Sequence, residues 1–226
     1  MEFMLIPAGS FLMGSNTGEE DEKPVHRVTI TKPFYMGKYE VTQEQWQALM
    51  GSNPSRFKGP KNPVEQVSWF DCRAFLAKLK SKASGKNPRL PTEAEWEYAC
   101  RAGSRSEYSF GDRDADLRRY AWYGQGLSGS THPVGEKEPN AWGLHDMHGN
   151  VWEWCSDVYG GFYYKVSPEI DPQGADFGGE RLLRGGSWLD DAVFCHSAAR
   201  GWIMPAHRDD CGGFRAVLPL PRSMQP

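Results

Sequence analysis

The stretch from Arg184-Gly185-Gly186-Ser187-Trp188 to Gly213-Phe214-Arg215 constrains this chain most. Two anchors bracket a long segment in which apolar residues follow neither a helical nor a strand period. The first anchor sets paired glycines before a tryptophan, which suits a backbone passing close under a large ring. The second, Gly213-Phe214-Arg215-Ala216-Val217-Leu218, reads as a final strand. Between them stand Leu189, Asp190, Asp191, Val193, Phe194, Cys195 and His196. Gly201, Trp202, Ile203, Met204, Ala206, His207, Asp209, Asp210 and Cys211 follow. Irregular stretches of this length inside a domain are functional or disordered, and the aromatics argue against disorder. A loop rich in large apolar side chains and held at both ends has the character of a binding surface.

The rest of the chain supplies a frame for it. At 226 residues and 39% hydrophobic, the sequence is long enough for one large globular domain with an ample core. A net charge of −3 gives no footprint for nucleic acid or a membrane surface. No apolar run is long enough to span a bilayer. Met1 leads straight into strand-like sequence, so the default location is cytoplasmic; an export signal on a longer parent would make it surface-bound or secreted. The five cysteines (Cys72, Cys100, Cys155, Cys195, Cys211) are scattered, without a CxxC pair, and read as free thiols.

Short strands are expected over Phe3–Gly14 around Pro7-Ala8-Gly9, over Val25–Thr31, and over Phe34–Met36 continuing through Gly37 to Tyr39–Val41. Three capped helices should follow. Thr42-Gln43-Glu44-Gln45 and Thr92-Glu93-Ala94-Glu95 are capping boxes, and Ser68-Trp69-Phe70-Asp71 opens the helix between them. Trp46, Leu49 and Met50, then Cys72, Phe75, Leu76 and Leu79, then Trp96, Ala99 and Cys100 fall on their core faces. Short strands, three early helices and a loop-dominated second half make a mixed α+β domain.

Two constellations carry possible chemistry. Asp146-Met147-His148-Gly149-Asn150-Val151-Trp152-Glu153 places two carboxylates around a glycine turn, where side chains and carbonyls could converge on a hard cation such as Ca²⁺. A buried carboxylate bonded to backbone amides explains the same residues equally well. Cys195-His196 suggests a nucleophile beside a base, but chain neighbours point apart and no Gly-x-Ser-x-Gly elbow is present. His145, His148, His196 and His207 lack zinc-site spacing.

Together these segments resemble the formylglycine-generating enzyme (sulfatase-modifying factor) family. The likeness is carried by Leu5–Gly14, Tyr39-Glu40-Val41-Thr42, Pro63–Trp69, Arg89-Leu90-Pro91-Thr92-Glu93-Ala94-Glu95-Trp96, Asn140–Trp154, Arg184–Trp188 and Gly213-Phe214-Arg215, in order along the chain. It implies a C-type-lectin-like fold of the formylglycine-generating-enzyme subclass, loop-rich, with three early helices packed on small antiparallel sheets. It implies one domain over 1–226 and a structural calcium on Asp146, Gly149, Val151 and Glu153. The family's second calcium site is disrupted, because Trp122 falls where an oxygen ligand is expected.

The catalytic pattern departs from the family's enzymes. Those carry Cys-x-x-x-x-Cys after Gly-Gly-Ser-aromatic and bind Cu(I) through two soft thiolates. Here the second thiol aligns with Cys195, but the first position is Asp190. Copper-dependent formylglycine formation, with Cys195 as a remaining ligand, is therefore the alternative rather than the leading expectation. The segment 184–218 also resembles the variable region of proteins diversified by retroelements. Its framework positions (Cys195, Ser197, Ala198, Arg200, Pro205, Arg208) keep the family look, while Leu189, Asp190, Asp191, Val193, Phe194, His196, Gly201, Trp202, Ile203, Met204, Ala206, His207, Asp209, Asp210 and Cys211 do not. That resemblance implies a non-catalytic binding protein whose partner is a protein or other macromolecule.

Overall fold

The computed structural model describes residues 1–82 and 87–220; residues 83–86 and 221–226 of the domain expected over 1–226 lie outside the described residues. The N-terminal sequence forms β1 (Phe3–Ile6) and β2 (Gly9–Met13) on either side of Pro7, as its alternation and turn residues dictate. β3 (His26–Ile30) returns antiparallel to β2, with Gly9 opposite Ile30 and Met13 opposite His26. β4 (Phe34–Gly37) lies between β1 and the last strand, β9 (Val217–Pro219), so the two ends of the described chain share one three-stranded sheet. The expected extension to Tyr39–Val41 does not form a strand. Instead, Val41 donates to Phe214 O (2.8 Å), and the chain turns into α1.

α1 (Gln43–Met50), α2 (Trp69–Lys82) and α3 (Glu93–Arg101) begin where their caps place them. Thr42 with Gln45, and Thr92 with Glu95, close both halves of a capping box. At α2, Ser68 N donates to Asp71 Oδ2 (2.8 Å) and Asp71 N to Ser68 Oγ (3.2 Å). The apolar faces expected from the 3.6-residue period turn inward: Trp46, Cys72, Phe75, Leu76, Trp96, Ala99 and Cys100 are buried, and Leu49, Met50 and Leu79 are half-buried against them. Trp46 stacks on Phe75 at 5.3 Å, and both meet Phe214 edge-on.

The second sheet carries the C-terminal segment. Its four strands run in the order β7 (Arg200–Ile203), β6 (Arg181–Arg184), β5 (Trp152–Val158), β8 (Gly212–Gly213). β5 and β8 are parallel, which departs from the antiparallel sheets expected throughout. The strand expected over Gly213–Leu218 is split: β8 belongs to this sheet and β9 to the other. Phe214, Arg215 and Ala216 cross between them, fully buried. A second correction concerns the segment between the anchors. It contains a 3-10 turn at Ala192–Phe194 and the whole of β7. β7 escapes a period-2 reading because it is an edge strand holding a glycine, an exposed Trp202 and an Arg200 whose side chain is buried in an ion pair.

Candidate functional site

The segment after Trp188 is held by its backbone. Arg184, at the end of β6, is fully buried, and its guanidinium donates to Ala198 O (2.6 Å), Ala199 O and Ser197 O (3.0 Å). The same group pairs with Glu97 of α3, which also accepts from Arg101 Nε (2.8 Å) and Gly14 N (2.9 Å). Burial raises the Glu97 pKa, but Arg101 and Arg184 outweigh it and keep the group below its ordinary value. Arg200 forks onto Glu93 (2.7 and 3.1 Å), donates to Asp21 O, and lies between the rings of Tyr164 and Tyr159. Arg208 forks onto Asp71 (2.7 and 3.0 Å) at the start of α2.

Backbone bonds complete the restraint. Gly124 N donates to Asp190 O, Ser197 N to Glu107 O, Trp69 N to Pro205 O, Gln66 N to Asp209 O, and Trp152 N to Cys211 O. Trp188 Nε1 donates to Asp210 O (3.0 Å). The paired glycines do admit close approach, but the ring is that of Trp96 on α3 and not the anchor's own Trp188. Gly185 (φ 100°) sits against the Trp96 ring, and a Cβ on Gly186 (φ 73°) would lie 2.6 Å from Cys195 Sγ.

Against this held backbone, seven of the fifteen nominated residues are exposed. Val193, Phe194, Trp202 and Met204 are 59%, 48%, 52% and 57% exposed. Asp191, Ala206 and His207 are exposed; Leu189, Gly201, Ile203, Asp209 and Cys211 are half-buried. Cys195, Ser197 and Ala198 are buried. Three nominated residues are tied to the frame instead. Asp190 Oδ2 accepts from Trp152 Nε1 (2.9 Å) and Ser187 Oγ, Asp210 pairs with Arg56, and His196 Nε2 lies 3.4 Å from buried Glu22. Nor do the residues share one face. On β7, Trp202 stacks on Tyr159 (5.1 Å, 19°), while Gly201 lies against the Trp152 ring on the opposite side.

Both late thiols are favoured in their protonated form. Burial pushes the Cys195 thiol well up, and the charges of Asp190 and Asp191 push it further. Cys211 is pushed up to about 12, again by burial first. All five cysteines are free thiols, as expected. Cu(I) takes soft thiolate ligands, and the position that would supply the second one is the carboxylate Asp190. The histidines also separate. His145 bonds Lys137 O and His207 bonds Asp209, while His148 bonds Cys195 O (2.7 Å) and Ser109 Oγ (2.9 Å). Burial takes the His148 pKa down to about 4, so its ring is a neutral strut under the segment.

The residues implied for calcium fit in part. Asp146 is buried, accepts from Gly135 N through Oδ2 (2.7 Å), and has no partner for Oδ1. Burial raises it to about 6. Glu153, in contrast, is already used: Arg215 forks onto it (2.6 and 2.5 Å) and Trp96 Nε1 donates to it (2.8 Å). Glu40 is the neighbour that sequence reading missed. It is buried, its Oε1 lacks a partner, and its pKa is raised first by burial and then by the charge of Asp146. Among the described residues, no group of three or more His, Cys, Asp or Glu side chains is placed to hold a metal ion. Asp146 thus fits a hard cation and Glu153 does not.

The positioning role of Arg184, Glu93 and Glu97 carried no local signal. They pair across long sequence separations, and their burial in ion pairs identifies that role. No helix among the described residues is long and apolar enough to cross a membrane.

Three comparisons bear on this geometry. A family described as "Sulfatase-modifying factor enzyme 1-like domain" matches residues 1–220. The formylglycine-generating enzyme of Streptomyces coelicolor is 32% identical, over 94% of this chain and 87% of that protein. Among solved structures, Treponema denticola variable protein 1 superposes with a TM-score of 0.89 at 34% identity, covering 96% of this chain and 95% of the other. PvdO from Pseudomonas aeruginosa superposes at 0.87 with 31% identity, covering 96% and 94%.

Proposed function

The chain belongs to the sulfatase-modifying factor enzyme 1-like family, with its C-type-lectin-like α+β fold, and within that family we propose that it is a binding protein rather than an oxidase. One observation carries the reading: the segment's backbone is fixed by buried residues outside it, while Val193, Phe194, Trp202 and Met204 project into solvent. Specificity then lives in side chains that can change without disturbing the fold. Half-exposed aromatics on a preorganised frame suit a protein surface, because they bring contact area at low ordering cost. Likeness to a variable protein over nearly the full length of both chains supports the same reading.

The family's oxidase activity would need two soft thiolates at the position now held by Asp190 and Cys195. Asp190 is instead engaged with Trp152 and Ser187. Calcium, carried by Asp146, would serve as a structural ion near the base of the segment.

The test is a library randomised at Val193, Phe194, Trp202, Met204 and His207 and displayed on phage. Most members should fold, and selection against an arbitrary globular protein should return binders. If most members unfold, the division between frame and surface is wrong. At the DNA level, retroelement diversification requires a neighbouring reverse transcriptase gene and a near-copy of the segment's coding sequence differing at adenines.

A further inference from the structure

One cavity of the frame, outside the held segment, gathers four cations of which one is ion-paired among the described residues. It has a volume of about 580 Å³ and opens between α2 and β6 over Trp69. Arg73, Lys80, Arg89 and Arg181 line it, and no aspartate or glutamate does. Arg89 is neutralised by Glu95 through two bonds of 2.6 Å. Among the described residues, Arg73, Lys80 and Arg181 enter no ion pair. Other surface cations among the described residues, Arg105 and Arg118 included, are also unpaired, but the arginines with buried side chains, Arg101, Arg184, Arg200 and Arg215, are each held by a carboxylate.

The two arginines crowd one ring. Their guanidinium carbons lie 4.7 Å (Arg73) and 4.2 Å (Arg181) from the Trp69 centroid. Cation–π contact orients both groups but neutralises neither. Burial lowers the Arg181 pKa and the charge of Arg73 lowers it further, while the nearby Asp157 opposes both without pairing with it. Arg181 donates to Ser156 O (2.8 Å) through one N–H, and its other donors have no partner among the described residues. Like charges converging on a concave apolar surface, with free donors, form a receptor for an anion.

We propose that this cavity binds a small organic phosphate as its dianion. Arg73 and Arg181 supply bidentate donors for the phosphoryl oxygens, and Lys80 supplies the third positive charge. Trp69, Leu76 and Leu90 form the apolar wall for the organic part. The volume falls within the range of small-molecule sites. Charge count favours a dianion, since a monocarboxylate would leave two of the three cations uncompensated and a dianion leaves one; two guanidinium forks on one centre match a phosphoryl group. The cavity borders the outward-facing segment, since Arg181 is paired with Ile203 across β6 and β7, and Trp69 N binds Pro205 O. The inference does not rest on the binding role of that segment.

Calorimetric titration of the purified chain tests it, with phenyl phosphate, inorganic phosphate and benzoate as probes. Phenyl phosphate should saturate one site per chain and bind more tightly than inorganic phosphate. Benzoate should bind about tenfold more weakly or worse, as should phenyl phosphate to Arg73→Gln or to Arg181→Gln. Arg73 is exposed on α2, so its variant should keep the wild-type melting temperature, and Arg113→Gln should bind as wild type. Absence of saturable phenyl phosphate binding, equal affinity for benzoate, or unchanged affinity in a folded Arg73→Gln protein would overturn the proposal.

Discussion

Replacing Arg184 by Met separates frame from surface in one measurement. The substitution keeps much of the side-chain volume and removes a charge that is fully buried. Glu97 would keep Arg101, so its carboxylate is not stranded. The carbonyls of Ser197, Ala198 and Ala199 would lose their donor in the interior. Each buried acceptor left unsatisfied costs about 1–3 kcal/mol, so the three carbonyls together, after partial relaxation, should cost about 3–5 kcal/mol. In a domain of this size each kcal/mol lowers Tm by roughly 2–4 °C, so a fall on the order of 10 °C is expected. Met204→Ser, only a few residues beyond the same carbonyls, removes a side chain that is 57% exposed. It should cost at most about 1 kcal/mol. Guanidinium unfolding followed by tryptophan fluorescence and far-UV circular dichroism reads both. The reasoning fails if Arg184→Met lies within about 1 kcal/mol of wild type, or if Met204→Ser is as damaging.

Trp202→Ala removes the stack on Tyr159 and should lower stability by about 0.5–1.5 kcal/mol, with an unchanged far-UV spectrum, while abolishing binding to any partner selected on the segment; global unfolding would refute it. Asp157 is buried and raised to about 7, so between its ordinary 3.8 and about 7 the folded state holds a proton that the unfolded chain releases. Stability from this group therefore falls as pH rises through that window, by roughly 4 kcal/mol at most. Asp157→Asn should gain relative to wild type on going from pH 5 to pH 8, and a difference independent of pH would contradict the assignment. Calcium at millimolar concentration should raise Tm, and Asp146→Asn should weaken that response; a rise abolished by Glu40→Gln and untouched by Asp146→Asn would place the ion elsewhere. Gly201→Val should press a side chain onto the Trp152 ring, where a Cβ already falls 3.0 Å from Cζ3, and cost about 1–3 kcal/mol by the same unfolding assay.

The parts of the fold visible in sequence are those with local chemistry. Thr42, Ser68 and Thr92 mark three helix starts because caps act within one turn. Gly185 and Gly186 are legible because a close approach leaves room for nothing larger. The parts that stay hidden depend on distant partners. Arg215 reads as a strand residue, yet it spans two sheets by reaching Gly37 O, His145 O and Glu153. That reach also explains why the strand expected over Gly213–Leu218 is two short ones. Trp202 and Ile203 sit on an edge strand whose register comes from β6, so no sequence period announces them. Outward placement can be inferred only from residues that depart from the family pattern, and the division of β7 between Tyr159 and Trp152 has no sequence signal at all.

The Arg184 guanidinium grips three successive carbonyls in the middle of the segment, at Ser197, Ala198 and Ala199. That grip parts 189–196 from 201–211, much as a guitar capo isolates two lengths of string. A substitution in one length has no slack through which to disturb the other, so paired changes at Phe194 and Trp202 should combine additively within about 0.5 kcal/mol. The number of distinct surfaces the molecule can present is then a product of two independent alphabets.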